Sequence, residues 1–285
     1  MDSRSLILKT SIKRRIQNNI WSFFWDNFQL PDVPIMDIID TFREYEPTIL
    51  ENICLPPYLG DSNFQDYSVL ISLIKALQPS KVLELGTAHG NTVANICVES
   101  AAQVFTVNAL PQQIDGNIIT FNLNKEEIGK VYRATGFQDR VIQIYENTRN
   151  IDILNYVNPK SIDFAIIDAC HDMDFVVNDF QKISPALSDR AVVLFHDTVP
   201  VYEHWYLDSY LGCMYLRRQG FNIKHIRQSS WGYWSAMDPY YPEKPLIKFD
   251  RNIYLFFESI IWGDQETRIK SLRWLASGFL RGKFD

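Results

Sequence analysis

The sequence predicts an α/β protein whose mainly parallel sheet is covered by helices. Residues 81–107 read as an apolar strand, a glycine turn, a helix and a second strand, an order that joins parallel strands. Strand and helix patterns then alternate as far as residue 218, which is typical of a sheet built from βαβ units. Residues 162–167 are apolar on both faces, as expected for a central strand.

Composition limits the function classes. With 285 residues, of which 46% are hydrophobic, the chain can bury a substantial core. The net charge of −6 argues against a nucleic-acid partner, because phosphate binding needs a positive field. The four cysteines form no Cys-x-x-Cys pair, so neither a zinc knuckle nor a disulfide framework is indicated, and a reducing cytoplasm is the expected location. No apolar run is long enough for a membrane span, and we expect a soluble protein.

Three helices are predicted before the first strand, at residues 5–28, 36–45 and 63–77. The first has apolar residues at spacing four and basic residues on its other faces. It reads as a helix that packs on the core or on a second subunit, and a membrane-surface helix or a cleavable transit segment are the alternatives. The third has an apolar stripe and a capping residue at its start.

The glycine turn after the first strand carries the main functional signal. It reads Glu84-Leu-Gly-Thr-Ala-His-Gly90, with glycines at 86 and 90, where the backbone must turn sharply and lie close to a ligand. Glu84 would repel a pyrophosphate but attract the amino group and sulfonium of S-adenosylmethionine (SAM). The pattern Glu-x-Gly-x-x-x-Gly resembles motif I of class I SAM-dependent methyltransferases. A nicotinamide dehydrogenase is disfavoured because the dinucleotide glycine spacing is absent.

The resemblance covers residues 65–237 and implies a Rossmann-like, seven-stranded methyltransferase sheet with extra N-terminal and C-terminal helices. The later strands are predicted at residues 139–146, 161–168 and 191–195, and a closing antiparallel pair at 221–227 and 231–237. The chain therefore divides into an N-terminal helical region (1–62), a methyltransferase core (63–238) and a C-terminal helical extension (239–285). We expect the apolar, aromatic extension and the first helix to form a lid or a homo-oligomer interface.

The resemblance also implies which residues bind the cofactor. At position 108 the family usually has an acid that takes both ribose hydroxyls, whereas Asn108 offers an amide that can accept from one and donate to the other. Asn147 and Thr148 fall where the family lays residues against the adenine edge, although a helix cap explains them equally well. The implied cofactor-binding residues are Glu84, Gly86, Thr87, Gly90, Asn108, Asn147, Thr148 and Asp168.

Two polar strand endings indicate where the chemistry takes place. Asp168 and His171 follow the fourth core strand, and His196 and Asp197 follow the fifth. Ligands of open α/β sheets gather at the carboxyl ends of strands, so we expect these side chains to meet. The endings resemble those of the branch that includes catechol O-methyltransferase, where acids at these points bind a divalent cation.

By that resemblance, Asp168, His196 and Asp197 are the candidate metal ligands, for Mg²⁺, Mn²⁺ or a softer ion. Because His196 replaces an acid, and Mg²⁺ prefers oxygen ligands, we favour a metal-free mechanism. His171 stands where the branch has a catalytic lysine. A histidine of ordinary pKa can remove a hydroxyl proton at physiological pH, so His171 and Asp168 are the candidate catalytic residues. A helix-capping or cofactor-edge role is the alternative for His171.

The predicted function is SAM-dependent methylation of a small molecule, an aromatic or apolar secondary metabolite, with O-methylation favoured. Metal-free N-methylation of an indole or amine is one alternative, and a non-catalytic SAM-binding or scaffold protein is another. Aromatic residues near the later strand ends either form a substrate wall or fill the core. They are Tyr202, Trp205, Tyr210, Trp231, Tyr233 and Trp234.

Overall fold

The computed structural model describes residues 30–42, 64–114, 122–198 and 204–240. The predicted helix at residues 5–28, the C-terminal extension beyond residue 240 and Tyr202 lie outside the described residues. The three-part domain division and the homo-oligomer therefore stay predictions. None of the described helices is long and apolar enough to cross a membrane.

The described residues form one mixed sheet with helices, which confirms the α/β, Rossmann-like prediction. The strand order across the sheet is β1-β7-β8-β6-β5-β2-β3-β4. The strands are β1 (Asp32–Val33), β2 (Lys81–Leu85), β3 (Gln103–Val107), β4 (Val141–Ile144), β5 (Ile162–Ile167), β6 (Leu187–Phe195), β7 (Lys224–Ile226) and β8 (Gly232–Ser235). The α-helices are α1 (Ile35–Ile39), α2 (Phe64–Leu77), α3 (Asn91–Glu99), α4 (Lys130–Ala134), α5 (Met173–Ile183) and α6 (His204–Arg218).

Strands β2 to β8 are the seven predicted core strands. All neighbouring strands pair in parallel except β8, which runs antiparallel to both β6 and β7. The closing antiparallel pair was expected because only three residues link its two halves. The short strand β1 adds an eighth strand at the edge, parallel to β7, and the sequence did not predict it.

Alternation along the strands supplies a core on both faces of the sheet. On one face, Val82, Phe164 and Leu194 pack with the apolar stripe of α2 and with α1 and α3. On the other face, Phe180 of α5 contacts the rings of Phe195 and Trp234. The central strands β2, β5 and β6 are therefore covered on both sides, which explains their nearly continuous apolar sequences.

Two helices are shorter than predicted. Helix α1 gives way to a 3₁₀ turn at Asp40–Phe42, and the rest of the predicted 36–45 helix lies outside the described residues. The sequence of residues 125–135, before Gly136, also predicts a helix, but this helix begins only at Lys130, because Gly129 adopts a left-handed backbone conformation with φ 72°. The N–H of Gly129 donates to the Ala88 carbonyl, 2.9 Å away, so this bend joins α4 to the glycine turn.

Candidate active site

The carboxyl ends of β5 and β6 bring the predicted chemical residues together. The two strands are parallel neighbours, with Ile167 opposite Phe195 as the last residue of each. The next residues are Asp168 on one strand and His196 on the other, and the His196 N–H donates to the Ile167 carbonyl at 3.0 Å. Asp168, His171, His196 and Asp197 therefore meet at one edge of the sheet.

His171 lies between two carboxylates. Its Nε2 is 3.2 Å from Asp168 Oδ1, and its Nδ1 is 3.0 Å from Asp197 Oδ2. Burial alone would lower the pKa of this imidazole, but the two acids outweigh it and raise the pKa to about 9. His171 is thus an imidazolium at neutral pH in this arrangement, and not the neutral base that its ordinary pKa would give.

His196 faces the same two acids from the other side. Its Nδ1 lies 3.1 Å from Asp168 Oδ1 and 3.3 Å from Asp197 Oδ1. That nitrogen is buried, and it makes no well-aligned hydrogen bond with any residue that the structure describes. Burial alone would lower the pKa of His196, but the charge of Asp168 outweighs this effect, so the net shift of the pKa is upward. The imidazole ring lies against Trp231, with 4.4 Å between the ring centroids.

The aspartate that links the two histidines is held ionised. Burial would raise the pKa of Asp168, but the charge of His196 and the hydrogen bond from His171 hold it below its usual value. The cluster is therefore a set of alternating positive imidazoles and negative carboxylates at the sheet edge. The side chains remain partly open to solvent, at 26% for Asp168 and 23% for His171, so a ligand can reach them.

Asp66 completes the cluster, and sequence reasoning missed it. It lies in the first turn of α2, and its Oδ2 is 3.8 Å from His196 Nε2. It accepts hydrogen bonds from the backbone N–H and the hydroxyl of Ser230, at 2.7 and 2.5 Å. Burial would raise the pKa of Asp66, but its bonds with His196 and Ser230 lower it. An acidic residue in the first turn of a helix is common because it interacts favourably with the helix dipole. Nothing in the sequence therefore marks Asp66 as part of a site.

The donor set fits a divalent cation of the softer type. Asp168, His171 and His196 offer ligand atoms that all lie within 4.8 Å of one another. The buried Nδ1 of His196, which has no aligned partner among the described residues, is suited to ligation. Two imidazoles with one carboxylate match Zn²⁺ or Fe²⁺ chemistry better than Mg²⁺. His171 takes part in this set, whereas the sequence suggested Asp197 in its place.

The glycine turn lies beside the cluster. Gly86 has φ 106°, and a β-carbon there would come within 2.0 Å of the Asp168 carbonyl oxygen. Gly90 has φ 83°, and a β-carbon there would come within 2.7 Å of the Tyr132 ring. The glycines are therefore needed for close backbone packing as well as for the turn, and the tightest contact is with protein rather than with a ligand.

Glu84 lies beneath the turn in a fully buried polar network. Its Oε2 accepts from the Thr106 hydroxyl, 2.5 Å away, and Thr106 in turn contacts the Thr87 hydroxyl at 2.7 Å. Gln143 donates to Thr87 Oγ1 at 2.9 Å. Burial raises the pKa of Glu84 to about 8. Its Oε1 is buried without a partner among the described residues.

The other implied cofactor residues are engaged with protein groups. Asn108 accepts from the Ala88 N–H at 3.0 Å and donates to the Ala109 carbonyl at 2.8 Å, which braces the glycine turn. Asn147 caps the following turn by accepting from the Arg149 N–H at 3.0 Å. Thr148 is buried and its hydroxyl bonds to Asp179. The capping alternative thus has direct support at position 147.

The aromatic residues near the later strand ends mostly fill the core. Tyr210, Trp231, Tyr233 and Trp234 are 4 to 7% exposed. Little of their surface is open to a substrate, which favours the core interpretation of these four. The structure does not describe the Trp205 side chain, which leaves its role as a prediction.

Comparison with known proteins gives one family match, and it spans the strand endings described above. Residues 83–198 match the family model of a methyltransferase domain. That stretch begins in β2, includes the glycine turn and ends just beyond Asp197.

Individual relatives are distant. The chain is 25% identical over 167 residues to the uncharacterized protein y4gI of Sinorhizobium fredii, a match that covers 58% of this chain and 16% of that protein. Among solved structures, it is similar to the SAH-bound methyltransferase PaMTH1 of Podospora anserina, with a TM-score of 0.47 and 13% identity, covering 78% of this chain and 94% of the other. A methyltransferase from Geobacter sulfurreducens gives a TM-score of 0.43 and 14% identity, covering 75% and 93%.

Proposed function

We propose that this chain, whose residues 83–198 match a methyltransferase domain, uses SAM to transfer a methyl group to a hydroxyl oxygen of a small molecule. The observation that carries the proposal is the placement of His171 between Asp168 and Asp197, with the Asp168 backbone packed against Gly86 of the glycine turn. A proton acceptor and a cofactor turn joined through Asp168 at one sheet edge are the two elements that O-methylation needs. SAM supplies the methyl group, already activated on its sulfonium.

The residues of the turn fit that cofactor. Gly86, Gly90 and Asn108 shape and brace the turn, and the unpartnered Oε1 of Glu84 faces no other described donor. Burial disfavours the ionised form of the Glu84 carboxyl, and a positively charged group nearby would stabilise that form. We therefore assign Glu84 the cationic part of the cofactor, whereas Thr87, Asn147, Thr148 and Asp168 stay predicted cofactor contacts.

In the proposed reaction, the neutral form of His171 accepts the hydroxyl proton; it is the minor form at neutral pH because the two acids raise the pKa to about 9. SAM, when bound, would supply the methyl group to the substrate oxygen and would keep the electron pair of its methyl–sulfur bond. The substrate O–H bond breaks as its proton moves to the unprotonated ring nitrogen of His171, so the charge balances. Asp168 and Asp197 orient the ring and stabilise the imidazolium that forms, as paired carboxylates do for catalytic histidines.

A metal-assisted version is the second candidate mechanism, favoured by the ligand atoms of Asp168, His171 and His196 within 4.8 Å of one another. A cation bound there would supply a Lewis acid that lowers the pKa of the substrate hydroxyl. We favour the metal-free version, because the two imidazoles already supply positive charge beside Asp168 and Asp197. In that version, proton transfer by His171 is the step that this chain's own residues perform.

The experiment that tests the function is a mass screen with SAM. Hydroxylated aromatic compounds, and amines and indoles as the comparison set, are incubated with the protein, and methylated products are identified by mass and fragmentation. Methyl ethers are the expected products. Methylated amines alone would replace this proposal with N-methylation, and no product from any compound would favour a SAM-binding role without catalysis.

A further inference from the structure

Asp66 and Ser230 lie far apart in sequence, outside the matched family segment, yet they meet behind His196. Asp66 comes from the first turn of α2, and Ser230 from the link between β7 and β8. The Ser230 hydroxyl is 2.5 Å from Asp66 Oδ2 and 3.4 Å from His196 Nε2. Its oxygen therefore contacts both the carboxylate and the imidazole.

The direction of these bonds follows from what each group can donate. An ionised carboxylate only accepts, so the Ser230 hydroxyl donates its one proton to Asp66. The Ser230 oxygen can then only accept from His196 Nε2, which must carry a proton. The second imidazole nitrogen, Nδ1, consequently points towards Asp168 and Asp197, 3.1 and 3.3 Å away.

Further contacts fix this arrangement. The Ser230 carbonyl accepts from both the N–H and the hydroxyl of Thr198, at 2.8 and 2.9 Å, which ties the link to the end of β6. The Asp66 carbonyl accepts from the Trp231 indole N–H at 2.9 Å, and the Trp231 ring lies against His196. Asp66, Ser230 and Trp231 thus contact the imidazole or one another without reaching the reacting edge.

We propose that Asp66 and Ser230 are positioning residues that hold the His196 imidazole with Nε2 as a donor to Ser230 and Nδ1 facing Asp168 and Asp197. The orientation of the ring stands on geometry alone. Its consequence for turnover rests on the proposed function, because His196 in turn orients the acids that hold His171.

The chain offers a matched control pair at the opposite end of the sheet. Asp163 accepts from both the backbone N–H and the hydroxyl of Ser80, at 3.0 and 2.6 Å, as Asp66 does from Ser230. That pair lies at the beginnings of β2 and β5, away from the site. Asp163→Asn and Ser80→Ala therefore measure how much stability and activity the protein loses when an aspartate–serine pair is removed without any effect on His196.

The test is ring-nitrogen NMR of the full chain with ¹⁵N-labelled histidine, assigned with His196→Gln. Wild type should show a His196 Nε2–H signal protected from solvent exchange. In Asp66→Asn and in Ser230→Ala, exchange of the Nε2 proton with solvent should become faster by about tenfold or more. The reason is that each variant loses a hydrogen bond that protects this proton. The double variant should match the single ones, because both residues act on one bond. Asp163→Asn and Ser80→Ala should keep the signal.

Kinetics provide the second readout, with the acceptor found in the mass screen. Asp66→Asn and Ser230→Ala should lower kcat by about tenfold while KM for SAM changes little, in the range found for outer partners of site histidines. An unchanged His196 signal in both variants, or a loss of kcat no larger than in Asp163→Asn, would overturn the proposal. A protected and sensitive signal in a protein that methylates nothing would instead retain the ring orientation and reject the proposed function.

Discussion

Gly86 lies so close to Asp168 that a β-carbon on the glycine would sit 2.0 Å from the aspartate's carbonyl oxygen. The contact forms where β2 and β5 end side by side, and the Asp168 N–H donates to the Leu85 carbonyl at 2.8 Å just before it. The glycine turn and the cluster of acids and histidines are therefore one continuous piece of backbone packing. A change in either is expected to disturb the other.

Gly86→Ala should destabilise the protein by about 3 kcal/mol or more, because the new β-carbon has no room and the left-handed backbone is unfavourable for alanine. Gly220→Ala is the matched control. Gly220 has φ 104°, close to the 106° of Gly86, but nothing lies within 4 Å of its β-carbon position, so about 1 kcal/mol is expected there. Urea unfolding of both variants measures the difference. Equal losses would show that the contact with Asp168 has no energetic role.

Turnover should rise with pH up to about 9 and then level off. His171 has its pKa raised to about 9, so below that pH it is protonated and cannot accept the substrate proton. The rate should increase by about tenfold per pH unit on the acidic side, as for a single essential base. His171→Ala should lose about 10²- to 10⁴-fold in kcat and the pH dependence with it.

His225→Gln serves as the control for that profile, since His225 pairs with Asp32, at 3.4 Å, in place of the acids that face His171. Its profile should overlay that of wild type. A wild-type profile that is flat between pH 6 and 9 would contradict a proton acceptor of raised pKa.

Asp197→Asn should move the acidic side of the profile to lower pH. It removes one of the two negative charges that hold the proton on His171, so the pKa of the imidazole falls. Asp197 has φ 54°, a conformation that asparagine also adopts, so the backbone should not change. Asp189→Asn, at an exposed ion pair with Lys160, is the control. A shift towards higher pH would show that Asp197 does not act on His171.

Glu84→Gln should reduce the loss of stability that wild type shows as the pH rises from 4.5 to about 8. Burial raises the pKa of Glu84 from 4.5 to about 8, so the folded state holds this proton more tightly than the unfolded state. That contribution is complete below about pH 4.5 and is lost as the pH rises through 8. The free energy of unfolding should therefore fall in wild type between those values and fall less in Glu84→Gln. Glu126→Gln, at an exposed glutamate, should behave like wild type.

The βαβ order and the strand endings could be predicted from the sequence because local patterns carry them. The apolar runs of β2, β5 and β6 and the glycines of the turn identify the sheet. Once two neighbouring parallel strands are known, their endings must meet, so Asp168 and His196 could be paired without coordinates.

Asp66 and strand β1 could not be predicted, because tertiary contacts alone define them. Asp66 enters the site through Ser230, which is distant in sequence, and Asp32–Val33 is a strand only because it pairs with β7. The raised pKa of His171 likewise depends on both of its nitrogens facing acids. Residue type gives its ordinary value, and only the geometry reveals the shift.

The most direct test of the account is transfer of a labelled methyl group from SAM to a hydroxylated acceptor by protein treated thoroughly with EDTA. The label should appear as a methyl ether at the rate of the untreated protein, and His171→Ala should lose most of it. Activity that disappears in EDTA and returns with Mn²⁺ or Mg²⁺ would contradict the metal-free mechanism. Full activity in His171→Ala would remove this histidine as the proton acceptor.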